Sequence, residues 1–272
     1  MARGPLPGFR LAMGTTLVYL SLLVLIPLAT VVLRSFEMPW ARLLEVVTSP
    51  RALASYRLTF GAAAIAAAVN LIFGVLVAWV LVRYRFPGRR ILDALVDLPF
   101  ALPTAVAGIA LASVYAENGW LGAPLAALGV KVAYTRLAVV VALTFVGLPF
   151  VVRTVQPVLA DLEPAIEEAA ATLGASRWTT LRRVLLPELG PAAATGFVLA
   201  LARGLGEYGS VIFVAGNLPL KSEITALLIM VQLEQYDYPA ATAIALVFLC
   251  ASFALLVLLN RLSGRRARSR PR

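Results

Sequence analysis

Few residues in this chain have the type and spacing to do chemistry, and they gather in three places. Arg203 and Glu207 stand four apart inside an apolar segment, so on a helix they share one face. Charged groups at that depth are costly and seldom face lipid. The pair is either an internal ion pair that fixes helix packing or a lining or gate for a path through the membrane. Tyr208 and Ser210 sit beside it among Gly204, Gly206 and Gly209. With no strand before them, these glycines are not a nucleotide-binding loop; they let helices approach closely or flex. In the second place, Pro99-Phe100-Ala101-Leu102-Pro103-Thr104, a helix is interrupted. Its freed N–H groups and the Thr104 hydroxyl can hold an oxyanion without a full positive charge, although kinked packing explains it equally well. The third place holds Glu167, Glu168 and Arg177, around Gly174.

The missing chemistry narrows the field further. Histidine is absent, so no triad or imidazole base can form, and the single cysteine, Cys250, lies in an apolar run. His/Cys metal sites and a disulfide framework are excluded. No GxxxxGK[ST] string cradles phosphate, so the chain itself is not expected to hydrolyse ATP or to bind a cofactor.

The elements that position these residues are set by hydropathy. Hydrophobic residues make up 61% of the 272 and charged ones 14%, with a mean hydropathy of +0.88. Soluble domains are nearer 45–50% apolar. Six segments are long enough to cross ~30 Å of hydrocarbon, near 11–33, 58–82, 97–116, 137–155, 192–215 and 239–262. The first is longer than a signal h-region and reads as a retained span. The third and fourth carry Pro99, Pro103 and Pro149, which neighbouring helices in a bundle can accommodate. The fold class is therefore all-α: a six-span domain over 11–262, with a polar loop at 156–191. Leu98-Pro99-Phe100 and Leu148-Pro149-Phe150 echo one another, which two tripeptides leave at the level of chance.

A net charge of +10 would suggest nucleic acid in a soluble protein, but here arginines cluster at the ends of apolar runs, where they set orientation. Sixteen Lys and Arg fall on the side holding both termini, the Arg83–Arg90 turn and the 156–191 loop, against seven on the other side. Residues 1–10, the 156–191 loop and the tail from 263, an Arg-rich coil near anionic head groups, are expected in the cytoplasm. The outer 216–238 stretch, with Lys221, Glu223, Glu234 and Asp237, is expected to be a solvated loop, with contact to a solute-binding protein as the functional option.

The 156–191 loop reads as two short helices. Pro164 suits a first turn, and Glu167 and Glu168 favour the positive end of the dipole. Ile166, Ala169, Ala170 and Leu173 form one apolar face, and Gly174 supplies a left-handed cap. Ser176 can cap a second helix with Trp178, Leu181, Val184 and Leu185 on one stripe, which Pro187 stops or kinks. An interfacial pair lying on lipid would show Lys/Arg on its first helix. Acids and alanines there favour docking into a protein groove instead.

Glu168-Ala169-Ala170, Gly174, Val184 and Leu186-Pro187 form an E-A-A-x(3)-G-x(9)-[IV]-x-L-P pattern. It resembles the cytoplasmic loop of ATP-binding-cassette importer permeases. RYRFPGRR, LDALVDLPFALPTAVAG, FVVRTVQPVL, LGEYGSVIFVAGNLP and QLEQYDYPAA extend the likeness over nearly the whole chain, to the T-type permeases of bacterial sulfate/thiosulfate importers. That resemblance implies a type I (MetI-like) permease in the inner membrane, forming half of a pore with a homologous second permease. It further implies two ATPase subunits carrying the ATP and Mg, and a periplasmic sulfate-binding protein. Glu167, Glu168, Ala169, Ala170, Gly174, Arg177 and Pro187 would couple to the ATPase. Pro103, Thr104, Arg203, Glu207, Tyr208 and Ser210 would line or gate the path. Molybdate or phosphate transport, a proton-coupled carrier using Arg203 and Glu207, and a passive scaffold stay open as alternatives.

Overall fold

The computed structural model describes residues 8–268; Arg3, Arg270 and Arg272 lie outside the described residues. All regular structure among those residues is helical. In chain order the helices are α1 (Phe9–Ser35), α2 (Trp40–Val47), α3 (Pro50–Arg83), α4 (Arg89–Val96), α5 (Leu98–Ala101), α6 (Thr104–Tyr115) and α7 (Gly122–Ala127). There follow α8 (Arg136–Asp161), α9 (Pro164–Thr172), α10 (Arg177–Leu205), α11 (Val211–Val214), α12 (Thr225–Glu234) and α13 (Tyr238–Arg268). Five of them, α1, α3, α8, α10 and α13, are long and apolar enough to cross a membrane. The sixth span is interrupted: α5 and α6 are separated by an extended Leu102 and by Pro103, which has no N–H to continue the ladder.

Small residues build the centre. α3, α8 and α10 pack together through Ala63, Ala66, Ala67, Ala142, Ala200 and Gly204, all buried. A Cβ on Gly74 would stand 2.8 Å from Val151, and one on Gly204 would be 3.5 Å from Ala63. Between helices in lipid, where apolar surface is no drive to associate, such close backbone approach and the dispersion it allows hold the bundle. α1 lies outside this core, with none of its most apolar window buried, and runs along α13.

Local rules explain several boundaries. The Ser49 hydroxyl accepts from Ala52 N at 3.2 Å to start α3, and Thr135 does the same for Leu137 N at the start of α8. Gly88, at φ 85°, turns the chain into α4.

Several features differ from the sequence reading. The fifth span begins at Arg177 rather than near 192 and ends at Leu205 rather than 215, because Gly206 breaks it. Pro187 does not stop the helix. A π-helical turn at Leu181–Leu185 widens the backbone just ahead of the ring, and the same device at Ser21–Leu25 precedes Pro27. The last helix continues to Arg268 instead of yielding to coil at 263. Finally, the 216–238 stretch is not a solvated loop. α12 packs on α3 and α13, Glu223 is buried, and Arg51 donates to both its oxygens at 2.7 and 2.6 Å. Thr225 N donates to Thr59 Oγ1 at 2.9 Å beside this pair, closing a buried polar clamp.

Candidate functional site

The end of the bundle that carries Arg83, Arg85, Arg89 and Arg90 also presents α9. Gly174 N donates to Ala171 O at 2.9 Å and Ala175 N to Ala170 O at 3.0 Å, with Gly174 at φ 80°. Those two bonds are the Schellman closure expected of a glycine at that place. Ser176 Oγ then accepts from Thr179 N at 3.2 Å and starts α10.

The two expected apolar stripes separate. Leu185 is buried and Leu181 and Val184 are half-buried, so the second stripe mostly seals α10 against the bundle. Trp178 leaves that stripe and is 66% exposed. On α9, Ile166 and Ala169 face outward with Leu173, which is 88% exposed at the tip. Glu168 and Arg177 are exposed beside them, and Pro187 is half-buried. An apolar knob that faces away from its own bundle is suited to another protein's groove.

One anchor fixes the unit's angle. Arg83, the last residue of α3, lies 2.8 Å from Glu167 Oε1 and donates to Leu162 O at 3.4 Å, while its guanidinium stands 5.8 Å from the Trp79 ring centroid. The pair ties α9 to the end of α3. Ala170 is half-buried on the inner side of the same helix.

The second set meets at the break after α10. Glu207 is buried just past the helix end, yet its Oε2 still reaches Arg203 Nη1 at 2.6 Å. Its Oε1 accepts from both Ser210 N and Ser210 Oγ at 2.8 Å. The carboxylate thus ties the two sides of the break together, and both its oxygens are engaged. This geometry favours the ion-pair reading over a free gate. Gly209 lies directly against the Thr104 hydroxyl, and Gly108 against the Ser210 carbonyl, each too close to admit a Cβ. Thr104, Arg203, Glu207 and Ser210 therefore do converge, with Tyr208 half-buried alongside, whereas Pro103 is exposed at the start of α6.

Sequence patterning missed a third cluster. Arg153 donates to Asp97 through Nε at 2.8 Å and Nη2 at 2.5 Å, to Asp93 Oδ1 at 2.6 Å, and to Gln156 Oε1 at 2.5 Å. Hydrogen bonding from Arg153, then from Gln156, holds the Asp93 carboxyl below its ordinary value. Asp93 and Asp97 are four apart and share a face, which was the available signal. Phe100 and Phe150 meet edge-on at 5.2 Å just above, so the two tripeptide echoes are in contact. No group of three or more potential metal-binding side chains occurs among the described residues.

A family model for the inner membrane component of binding-protein-dependent transport systems matches residues 70–269, which include α9, the break after α10 and the whole Arg153 cluster. The chain belongs to that family. It is 53% identical over 264 residues to the sulfate transport system permease protein CysT of Escherichia coli strain K12, covering 97% of this chain and 95% of that protein. The CysT protein of Synechococcus elongatus is 48% identical, with coverage of 92% and 90%. Among solved structures, a bacterial ABC transporter involved in alginate import superposes with a TM-score of 0.78 at 17% identity, covering 94% and 95%. The inward-facing MetNI methionine transporter gives 0.59 at 18% identity, covering 79% and 96%. At those identities the structures establish the shared fold. Like other members, this chain is an inner-membrane permease subunit, and ATP hydrolysis is not its chemistry.

Proposed function

We propose that the chain is the permease subunit through which an ATP-driven importer moves sulfate, and thiosulfate with it, across the bacterial inner membrane. The observation carrying this reading is the 53% identity over 97% of the chain to a permease named for sulfate transport. One copy forms half of the pore, and a homologous second permease forms the other. Two ATPase subunits sit at the Arg-rich end, which faces the cytoplasm with both termini. A periplasmic sulfate-binding protein delivers the anion at the other end.

The residues take roles consistent with their geometry. Leu173 and Trp178 are the apolar contacts offered to the ATPase, framed by Glu168, Ala169 and Arg177. Gly174 shapes the turn between them, and Ala170 and Pro187 back the unit against the bundle. The Glu167–Arg83 pair passes its motion to α3. ATP and Mg act on the partner subunit and have no site here. Inside the membrane, the open backbone at Leu102-Pro103 and the Thr104 hydroxyl offer neutral donors to an oxyanion, a way to bind it without trapping it by full charge. Arg203, Glu207, Tyr208 and Ser210 shape the adjoining wall.

The test is labelled sulfate uptake in cells lacking this chain, complemented with wild type or Gly174→Asp. Uptake restored by wild type alone, at equal membrane levels, supports sulfate transport and ATPase coupling together. Undiminished uptake in the deletion, with no redundant importer, moves the substrate to molybdate or phosphate.

A further inference from the structure

On the outer surface of the bundle, at the Arg-rich end, α3 and the start of α10 enclose an open groove of about 630 Å³. Its walls are Ile72, Val75 and Leu76 on one side and Leu181, Leu185 and Leu189 on the other. Ile72 and Leu76 are 67% and 54% exposed, so the wall faces away from the protein core. From Ile72 to Trp79 the α3 side is ~10 Å long, against ~15 Å for half the hydrocarbon thickness.

Polar groups occur only at the mouth, where Glu167, Arg177 and Thr180 lie near Trp79. Glu167 is neutralised by Arg83 at 2.8 Å. Arg177 is exposed, and no hydrogen bond or ion pair engages its guanidinium among the described residues. Arg182 and Arg183, both exposed, follow one turn later. The mouth therefore carries uncompensated positive charge at head-group height, above an aliphatic slot that reaches into one leaflet.

We propose that this groove is a binding site for an anionic phospholipid, with one acyl chain in the slot and the phosphate at Arg177. A bound lipid would then bridge α3 and the first turns of α10, directly above the docking helix α9. Lipid fits this mouth better than a protein partner because the charge and the apolar slot are stacked along the membrane normal, as in a phospholipid itself.

The test uses the assembled complex in membranes containing phosphatidylglycerol or phosphatidylcholine that carries a photoactivatable acyl chain. Adducts are mapped by mass spectrometry on the groove residues Ile72, Val75, Leu76, Leu181, Leu185 and Leu189, with Ile65 and Phe73, exposed elsewhere on α3, as the general lipid-contact reference. The expected result is about fivefold more groove labelling by phosphatidylglycerol, reduced to parity in Arg177→Gln and retained in Arg177→Lys. Unchanged reference labelling and undiminished co-purification of the ATPase show that each variant is inserted, folded and assembled, so that a loss at Arg177 is not a loss of docking. Equal labelling by both lipids in the wild type would mean ordinary boundary lipid and overturn the site. Labelling of Ile65 and Phe73 with none in the groove would mean that another subunit covers it, and would overturn it too.

Discussion

Arg153 and Asp97 face each other as a bidentate pair, Nε to Oδ1 at 2.8 Å and Nη2 to Oδ2 at 2.5 Å, across fifty-six residues of sequence. The pair fastens the approach to the interrupted span onto α8, one turn before Pro157 and two turns before the chain leaves for α9. Arg153→Ala leaves Asp93 and Asp97 without their shared cation. With these side chains a third to a half exposed, the loss is about 1–2 kcal/mol. It should appear as a lower thermal unfolding midpoint in detergent, and Arg153→Lys, which cannot donate bidentately, should recover only part of it.

The same cluster sets a pH dependence. Asp93 is depressed below its ordinary value of 3.8, chiefly by hydrogen bonding from Arg153. A depressed carboxylate contributes stability that is complete above its unfolded value and is lost as pH falls through the folded one. Its contribution should therefore be flat from about pH 7 to 5 and fade only below about 4. Asp93→Asn should remove that portion of the acid-induced drop in unfolding midpoint. An unaltered acid slope in Asp93→Asn would show that the pair contributes nothing to folding.

What was legible in the chain followed short-range rules. The cap at Gly174 and the Ser176 start of α10 depend on residues within one turn, and the structure reproduces both. The apolar runs marked the spans because window-averaged hydropathy is a local sum. That averaging also hid the break at Gly206, since apolar residues from Val211 to Val214 resume the run beyond Glu207. Of a stop or a kink at Pro187, the stop does not occur, because the cost of a ring inside a helix falls when the preceding turn widens, and nothing in residue types announces a π turn. Arg51 and Glu223 are 172 residues apart, so their clamp, which folds the 216–238 stretch onto the bundle, is a property of the assembled bundle. Phe100 and Phe150 stood in matching tripeptides, but only their 5.2 Å contact gives the match a physical role.

Glu207→Gln separates a latch from a gate. Glutamine retains an oxygen acceptor for Ser210 but leaves Arg203, 33% exposed, without its carboxylate. The expected cost is about 1–3 kcal/mol, seen as less protein in the membrane and a lower unfolding midpoint. Sulfate uptake per molecule of inserted permease should stay near the wild-type rate. A collapse of per-molecule uptake with unchanged stability would return the pair to a gating role.

Gly209 and Thr104 make a steric prediction that a double mutant can resolve. A methyl at 209 would collide with the Thr104 hydroxyl and lie 3.0 Å from its Cβ. Gly209→Ala should therefore destabilise by about 1–3 kcal/mol, the usual range for overpacking. Thr104→Ala removes the hydroxyl but keeps the Cβ, so the double mutant should recover part of the loss, a coupling measurable by a thermodynamic cycle. Strictly additive effects would mean that α6 and the break adjust independently.

Gly174 is where backbone conformation alone should decide coupling. A Cβ there meets nothing within 4 Å, so any substitution effect comes from the φ of 80° and from charge, not from crowding. Alanine in the left-handed region costs about 1–2 kcal/mol, while asparagine visits it far more readily. ATP-dependent sulfate uptake should therefore rank glycine, then asparagine, then alanine, with valine lowest because a β-branched residue tolerates that region least. Measured at equal membrane levels, a ranking that follows side-chain volume instead, with asparagine worse than alanine, would mean that the tip of the turn is packed inside a partner and that space, not conformation, limits it.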